Sequence, residues 1–348
     1  MQRKIATRLR DVALRAGVSD VTVSHVLSGR MATRVAPRTR DRILQAVKDM
    51  NYRPNMLARA IRAQKTLMVG LILPRALMST PMQEAIEDMF VGINAAGYTM
   101  MIQYAAGKGM TSYVNLLQDW RVDGILCVYG PWAAHCLPAL TQASLNGLPV
   151  VLLGHQAESP LIQVSLDYER GGRLLVEHLT NIGCSRLAFL TDERFWETSL
   201  EGRNMGFRKA HAERLGPVSP KQVFAGPVGE DPMLTGQRQA RALLESHYDV
   251  DAVVCQNDST ALGALQVFLQ AGRHIPECFA MTGYDNNFSP HALIPITSVE
   301  LGHRTMVKQA LNLLMEALRD GKTEPMRQTV EPVLHVRAST TRLAAYRT

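Results

Sequence analysis

Asp20, Val21, Thr22, Ser24 and His25 form a run of short polar groups around one small apolar side chain. Groups of this kind donate to, accept from or pack against the edge of a base, and none of them breaks a bond unaided. Arg30, Arg34, Arg38, Arg40 and Arg42 follow closely. Residues 1–65 hold 15 Lys+Arg against 4 Asp+Glu, a net +11, while residues 66–348 hold 23 against 27, a net −4. A split of that size assigns a polyanion to the first sixth of the chain and not to the rest. Side chains that would carry catalysis do not assemble. No GxSxG elbow, HExxH pair or Walker A loop occurs, and no GxGxxG follows the apolar run at residues 67–73. Glu84, Glu87 and Asp88 stand at the spacing of a solvated helix face, and His135 beside Cys136 is adjacency in sequence, not a dyad. Cys127, Cys136, Cys184, Cys255 and Cys278 are odd in number and lack a CxxC pair, which reads as reduced thiols and neither a disulfide frame nor a zinc site. No enzyme activity, metal site or cofactor is expected.

The elements that must hold the first group are legible. Leu9, Val12, Ala13 and Ala16 recur at i, i+3, i+4 and i+7, one face of a helix over 9–16. Gly17 stops it, and Ser19 is placed to cap a second helix, 20–28, that buries Val23, Val26 and Leu27 and turns Asp20, Val21, Thr22, Ser24 and His25 outward. Two short helices joined at a glycine are the frame of a helix-turn-helix, although spacing alone fits an ordinary helical hairpin equally well. The +11 charge decides for DNA. A third helix, 37–50, opens on Pro37 and carries Ile43, Ala46, Val47 and Met50 as its apolar stripe.

From Thr66 the texture changes. Apolar runs at 67–73, 98–103, 124–128 and 150–153 read as strands, with helices near 82–95, 111–120 and 134–146 between them. A crossover near 163–167 leads to a helix at 168–182 and strands at 187–190, 252–255 and 280–282. Strands alternating with helices predict doubly wound parallel sheets, in two halves with a cleft at the carboxyl ends of their strands. At 348 residues and 46% hydrophobic content the chain can bury such cores. No apolar run has the length of a membrane span, and Met1-Gln-Arg-Lys leads into Arg8 and Arg10, not an apolar leader, so a cytoplasmic protein is expected.

Asp11-Val-Ala, Ala16-Gly-Val-Ser19, Thr22-Val-Ser24, Thr39-Arg40, Asn51-Tyr52 and Pro54-Asn55, in this order and spacing, resemble the LacI/GalR family of bacterial transcription regulators. The body is similar to that family's periplasmic-binding-protein-like effector sensor through Arg121-Val-Asp-Gly124, Asp167 with Gly171-Gly172, Arg203-Asn-Met-Gly206, Asn257-Asp258, Gly283-Tyr-Asp285 and Arg337-Ala-Ser-Thr340. The resemblance implies that Asp20, Val21 and His25 read base edges, with Thr22 and Ser24 on backbone or base. It makes residues 54–61 a hinge helix, with Asn55 and Ala58 at the DNA and Ile61 as a minor-groove wedge. It further implies effector contacts from Arg203, Asn257 and Asp285, with Ser79, Ser199 and His155 as additional cleft candidates. Asp258 is expected to be merely the helix cap of the Asn257-Asp258 pair. His25 stands where arginine is usual, the 29–34 loop is about two residues longer than common, and Ala36 replaces a serine cap. Asp231 stands where relatives keep an effector-stacking aromatic, with Phe195 and Trp196 as possible substitutes.

The expected architecture is an all-α helix-turn-helix domain at 1–53, a hinge helix and linker at 54–65, and a two-subdomain α/β body at 66–348. Within the body the first half is expected at about 66–165 and 298–325, and the second at about 166–297 and 326–348. The expected function is a LacI-type repressor, a homodimer without a tetramer helix, that binds a near-palindromic double-stranded operator under control of a sugar or sugar derivative. The alternative is a cytoplasmic sugar-binding protein or enzyme with no operator.

Overall fold

The apolar spacing at the start of the chain becomes α1 (Leu9–Ala16) in the computed structural model, which describes residues 7–28, 35–52, 65–74, 80–105, 122–192, 202–227 and 230–341. Gly17 ends α1 at φ +62°, a left-handed conformation that costs an L side chain but not glycine. After it come α2 (Asp20–Ser28) and α3 (Pro37–Asp49). Ser19 Oγ accepts from Thr22 N at 3.2 Å, the expected cap, and Ala36 gives α3 no side-chain cap. The three helices close on Val12, Ala13, Ala16, Val23, Val26, Ile43, Ala46 and Tyr52. Ile43 is fully buried and contributes about 1.5–3 kcal/mol of transfer free energy. Residues up to Leu67 form one compact unit and those from Met68 a second.

In the second unit the runs expected as strands are strands, and residues 69–73, 124–129 and 150–154 are buried on both faces, as the middle of a parallel sheet requires. The first sheet has the order β11-β5-β4-β3-β1-β2, all parallel. Its members are β1 (Met68–Pro74), β2 (Thr99–Ala105), β3 (Gly124–Tyr129), β4 (Val150–Gly154), β5 (Ile162–Leu166) and β11 (Arg327–Val330). In register, Val69 stands beside Gly124 and Ile125 beside Val150. Helices α4 (Thr80–Ala95) and α5 (Leu137–Leu145) connect these strands, a 3₁₀ turn at Pro131–Cys136 taking the start of the expected 134–146 helix. The expected helix at 111–120 lies outside the described residues. The segment expected as a crossover, 163–167, is largely strand β5.

The second sheet, β7-β6-β8-β9, is built from β6 (Leu187–Asp192), β7 (Val223–Gly226), β8 (Ala252–Cys255) and β9 (Ala280–Thr282), also parallel. Its helices are α6 (Tyr168–Asn181), α7 (Gly202–Leu215), α8 (Pro232–Glu245) and α9 (Asp258–Gln270). The chain then runs through β10 (Ser298–Glu300) into α10 (His303–Asp320), which packs on β3, β4 and β5. The return to the second half comes later than expected at 326. Arg327–Val330 pairs with β5 as the edge of the first sheet, because its register with Gln163–Leu166 supplies backbone partners there. Among the described residues only β12 (Val333–His335), antiparallel to β10, and α11 (Ala338–Thr341), packed on β9, follow. Ser339 Oγ donates to Met281 O at 2.6 Å, and Arg337 Nη1 donates to Ile296 O at 2.7 Å, so the Arg337–Thr340 motif fastens this return to the second sheet. No helix among the described residues is long and apolar enough to cross a membrane.

Candidate functional site

Two surfaces carry side chains that could meet a ligand. On α2 the inward positions, Val23 and Val26, are buried, and Val21 on the outer side is 61% exposed. Asp20 is exposed as well, and Thr22, Ser24 and His25 are half-buried. Thr22 is partly engaged: its hydroxyl lies 2.9 Å from Ser19 Oγ. One helix thus presents all five residues singled out in the sequence, within the unit that carries the basic charge. Asn55, Ala58 and Ile61 lie outside the described residues.

The second surface lies where strand ends of the body meet. Helices α6 and α7 approach backbone to backbone: a Cβ at Gly172 would stand 2.2 Å from Arg203 O, and one at Gly206 2.1 Å from Glu169 O. That contact fixes the first turn of α7, from which Arg203 extends. Its guanidinium lies 4.1 Å above the ring of Tyr284, a cation–π arrangement. Arg203 Nη1 donates to Gln256 O, and Nη2 stands 3.7 Å from Asp285 Oδ1, an ion pair too long for a hydrogen bond. The two side chains are 14% and 13% exposed. Burial pushes the Asp285 carboxyl up, and Arg203 opposes that shift.

Asp285 sits at φ 91° and Asn286 at φ 51°, a left-handed stretch that non-glycine residues enter only when held there. Asp258 does the holding. Its Oδ2 accepts from Asn287 N at 2.6 Å and Ser289 N at 3.3 Å, and its Oδ1 accepts from Ser298 Oγ at 2.7 Å. Gly283 lets the strand pass, since a Cβ there would be 2.3 Å from Asp258 Oδ1. Arg337 completes the brace, Nη2 donating to Asn286 Oδ1 at 2.5 Å.

This reverses the expected roles at 257 and 258. Asn257 is the cap of α9, Oδ1 accepting from Thr260 N at 2.8 Å, while Asp258 is the buried hub. Either residue type caps a helix well, so local chemistry could not choose between them. Asp231 likewise is a cap, its carboxylate accepting from Met233 N and Leu234 N ahead of Pro232. Ser79, Ser199, Phe195 and Trp196 lie outside the described residues.

His155, after β4, stacks on Tyr168 with ring centroids 4.2 Å apart. Burial lowers its pKa to about 4, and the neighbouring Arg203 adds to the effect. His303, first residue of α10 and 6% exposed, is lowered to about 4 by the same two causes. Sequence reasoning missed His303 and Tyr284. A histidine that opens a helix after Gly302 was a visible signal, but its nearness to Arg203, 100 positions away, was not.

A helix-turn-helix ahead of a two-sheet body with a buried polar cluster at its strand ends is the arrangement of a DNA-binding regulator built on a periplasmic-binding-protein-like sensor. The pattern for bacterial regulatory proteins of the lacI family matches residues 8–55, and that for a periplasmic binding protein-like domain matches residues 176–340. The HTH-type transcriptional repressor PurR of Photobacterium profundum is 30% identical over 95% of this chain and 98% of its own. The repressor of the same name from Vibrio cholerae serotype O1 is 30% identical over 91% of this chain and 93% of its own. A complex of the transcriptional regulator CelR with cellobiose superposes at a TM-score of 0.65, with 27% identity, over 96% of this chain and 99% of that one. The lac repressor bound to ONPG in its repressed state shares the fold at a TM-score of 0.78, with 23% identity, over 97% of this chain and all of that one. The chain belongs to the LacI family. It is a DNA-binding transcriptional repressor and not an enzyme.

Proposed function

We propose that the repressor acts as a homodimer on a near-palindromic operator, with Asp20, Val21, Thr22, Ser24 and His25 of each α2 in the major groove. Residues 54–65 serve as the hinge, with Asn55 and Ala58 at the DNA and Ile61 as its wedge. The body from 66 onward senses a small molecule between its halves through Arg203 and Asp285, with His155, Ser79 and Ser199 beside them. Binding to chromosomal DNA places the protein in the cytoplasm. The observation that carries the sensing site is the Arg203–Asp285 pair, two mostly buried groups held 3.7 Å apart against Tyr284. A hydroxylated ligand satisfies such a pair, donating to the carboxylate and accepting from the guanidinium. A sugar or sugar derivative is therefore the effector we favour. A purine-type effector is the second reading, favoured by the name PurR carried by the sequence relatives.

Effector binding that changes the closure of the two halves changes the spacing of the hinges. A coupling of about 1–3 kcal/mol alters operator affinity roughly 5- to 150-fold. Capture and sequencing of genomic fragments by the purified protein gives the operator. Arg203→Ala, assayed on that operator with extract from cells grown on different carbon sources, should bind DNA normally and ignore every extract. A full response would remove Arg203 from the site.

A further inference from the structure

His155 and His303 belong to different elements of the first half, one after β4 and one at the start of α10. Both lie close enough to Arg203, on α7 of the second half, for its charge to disfavour their own. Among the described residues neither imidazole makes a side-chain hydrogen bond; His155 has only its stacking contact with Tyr168. His303 is buried and His155 half-buried, so each keeps ring-nitrogen hydrogen-bonding capacity that a ligand can use. The start of α10 adds a further positive element. Its N-cap, Gly302 at φ 80°, supplies no side chain to the first N–H groups of an 18-residue helix, so no side chain caps the positive end of the helix beside His303. Arg203 is a donor only, and each neutral imidazole donates from one nitrogen. Among the described residues this region is therefore rich in donors, and its carboxylates are already engaged, Asp285 by Arg203 and Glu300 by Asn286 and His335.

We infer that the effector is an acid: a carboxylate or phosphate group sits among Arg203, His155, His303 and the start of α10, and hydroxyl groups of the same molecule donate to Asp285. This rests on reading the cleft as the effector site, and it narrows the sugar derivative to an acidic one. The groups that set the titration are Arg203 on α7, Asp285 after β9, Glu300 on β10, His303 on α10, and His155 on Tyr168 of α6. Glu300 favours a charged His303, and its carboxylate is held by Asn286 Nδ2 at 3.0 Å and faces His335 Nε2 at 2.9 Å. Without an anion both imidazoles titrate near 4 and are neutral at pH 7. An anion among them raises that value, so binding takes up protons. Affinity is then greatest at low pH and falls, by about tenfold per pH unit for each proton taken up, as pH rises through the pKa of the bound state.

The test uses the full chain and matched probes: D-glucose, D-gluconate, D-glucuronate and glucose 6-phosphate, the same series from galactose, and inorganic phosphate alone. Thermal melting at pH 6 and pH 8, against sodium chloride of equal ionic strength, ranks them. Calorimetry of the best in two buffers of different ionisation heat then counts protons. The expected result is stabilisation by an acid and not by its neutral parent, larger at pH 6, with proton uptake that falls in His303→Gln and in His155→Gln. The acid arms separate carboxylate from phosphate. A neutral sugar that stabilises as well as its acid overturns the inference, and so does a panel in which no acid exceeds the salt control. Should a neutral probe bind and Arg203→Gln abolish it, the cleft stands and only the acidic class falls. Binding that Arg203→Gln leaves untouched removes the cleft reading itself.

Discussion

The reading helix and the cleft use their residues in opposite ways. On α2 the side chains proposed to read DNA are exposed or half-buried beside an apolar core of eight residues. At the proposed sensing site the assigned side chains are part of the interior: Arg203 rests on Tyr284, Asp285 is held in left-handed backbone, and His303 is buried. A surface reader can change specificity without changing stability. A buried sensor cannot, because each charged group there is balanced against another, and removing one leaves its neighbour exposed to the full cost of burial.

Acid should separate the two regions most strongly. His155 and His303 titrate well below their ordinary 6.5, so between about 6.5 and 4 the unfolded chain binds more protons than the folded one. Stability from these groups is complete above that window and is lost as pH falls through it, on the order of 3 kcal/mol for each imidazole. The core of the head contains no histidine. Hydrogen exchange at pH 4.5 should therefore accelerate in the amides of the body far more than in α1 and α3, after correction for the intrinsic rate. Equal acceleration in both units would erase the contrast. Next in size is Gly206→Ala, which drives a methyl group against Glu169 O and should cost about 1–3 kcal/mol in urea unfolding of the body, with the head unmoved. Within the head, Ser19→Ala removes the cap of α2 and should cost about 1 kcal/mol, read as faster exchange at Thr22 and Val23. Smallest of all, Val21→Ala should leave stability within about 0.5 kcal/mol while shifting the preferred operator sequence in a binding selection. A large loss of stability there would mean that the reading face is also structural.

The same contrast explains what could be read from the sequence. In the head every determinant is local. Spacing at Leu9, Val12, Ala13 and Ala16, the stop at Gly17 and the cap at Ser19 place α1 and α2 at the bounds expected. In the body seven of the twelve described strands, β1 to β4, β6, β8 and β9, were visible as apolar runs to within a residue or two at their ends, because an apolar run needs no partner to be recognised. Partnership was not visible. That Arg327–Val330 joins the first sheet, that Asp258 is a buried hub, and that His303 lies within reach of the Arg203 charge all depend on contacts between distant segments. The cap at Asp231 differs, since its signal is local: Asp ahead of Pro starts a helix, and Asp231 caps α8.

The late return of the chain bears on the order in which a ribosome delivers the parts. The head can close its core once residue 52 has emerged. The first sheet waits for Arg327–Val330 and the second for the α11 contact with β9, nearly at the other end of the chain. At synthesis rates of about 5–20 residues per second, a nascent molecule carries a folded reading helix for tens of seconds before it owns a sensor. Any chain broken or stalled in that interval could touch DNA without being able to respond to the effector. Fastening the last strands to both sheets makes completion of the polypeptide a condition of obedience.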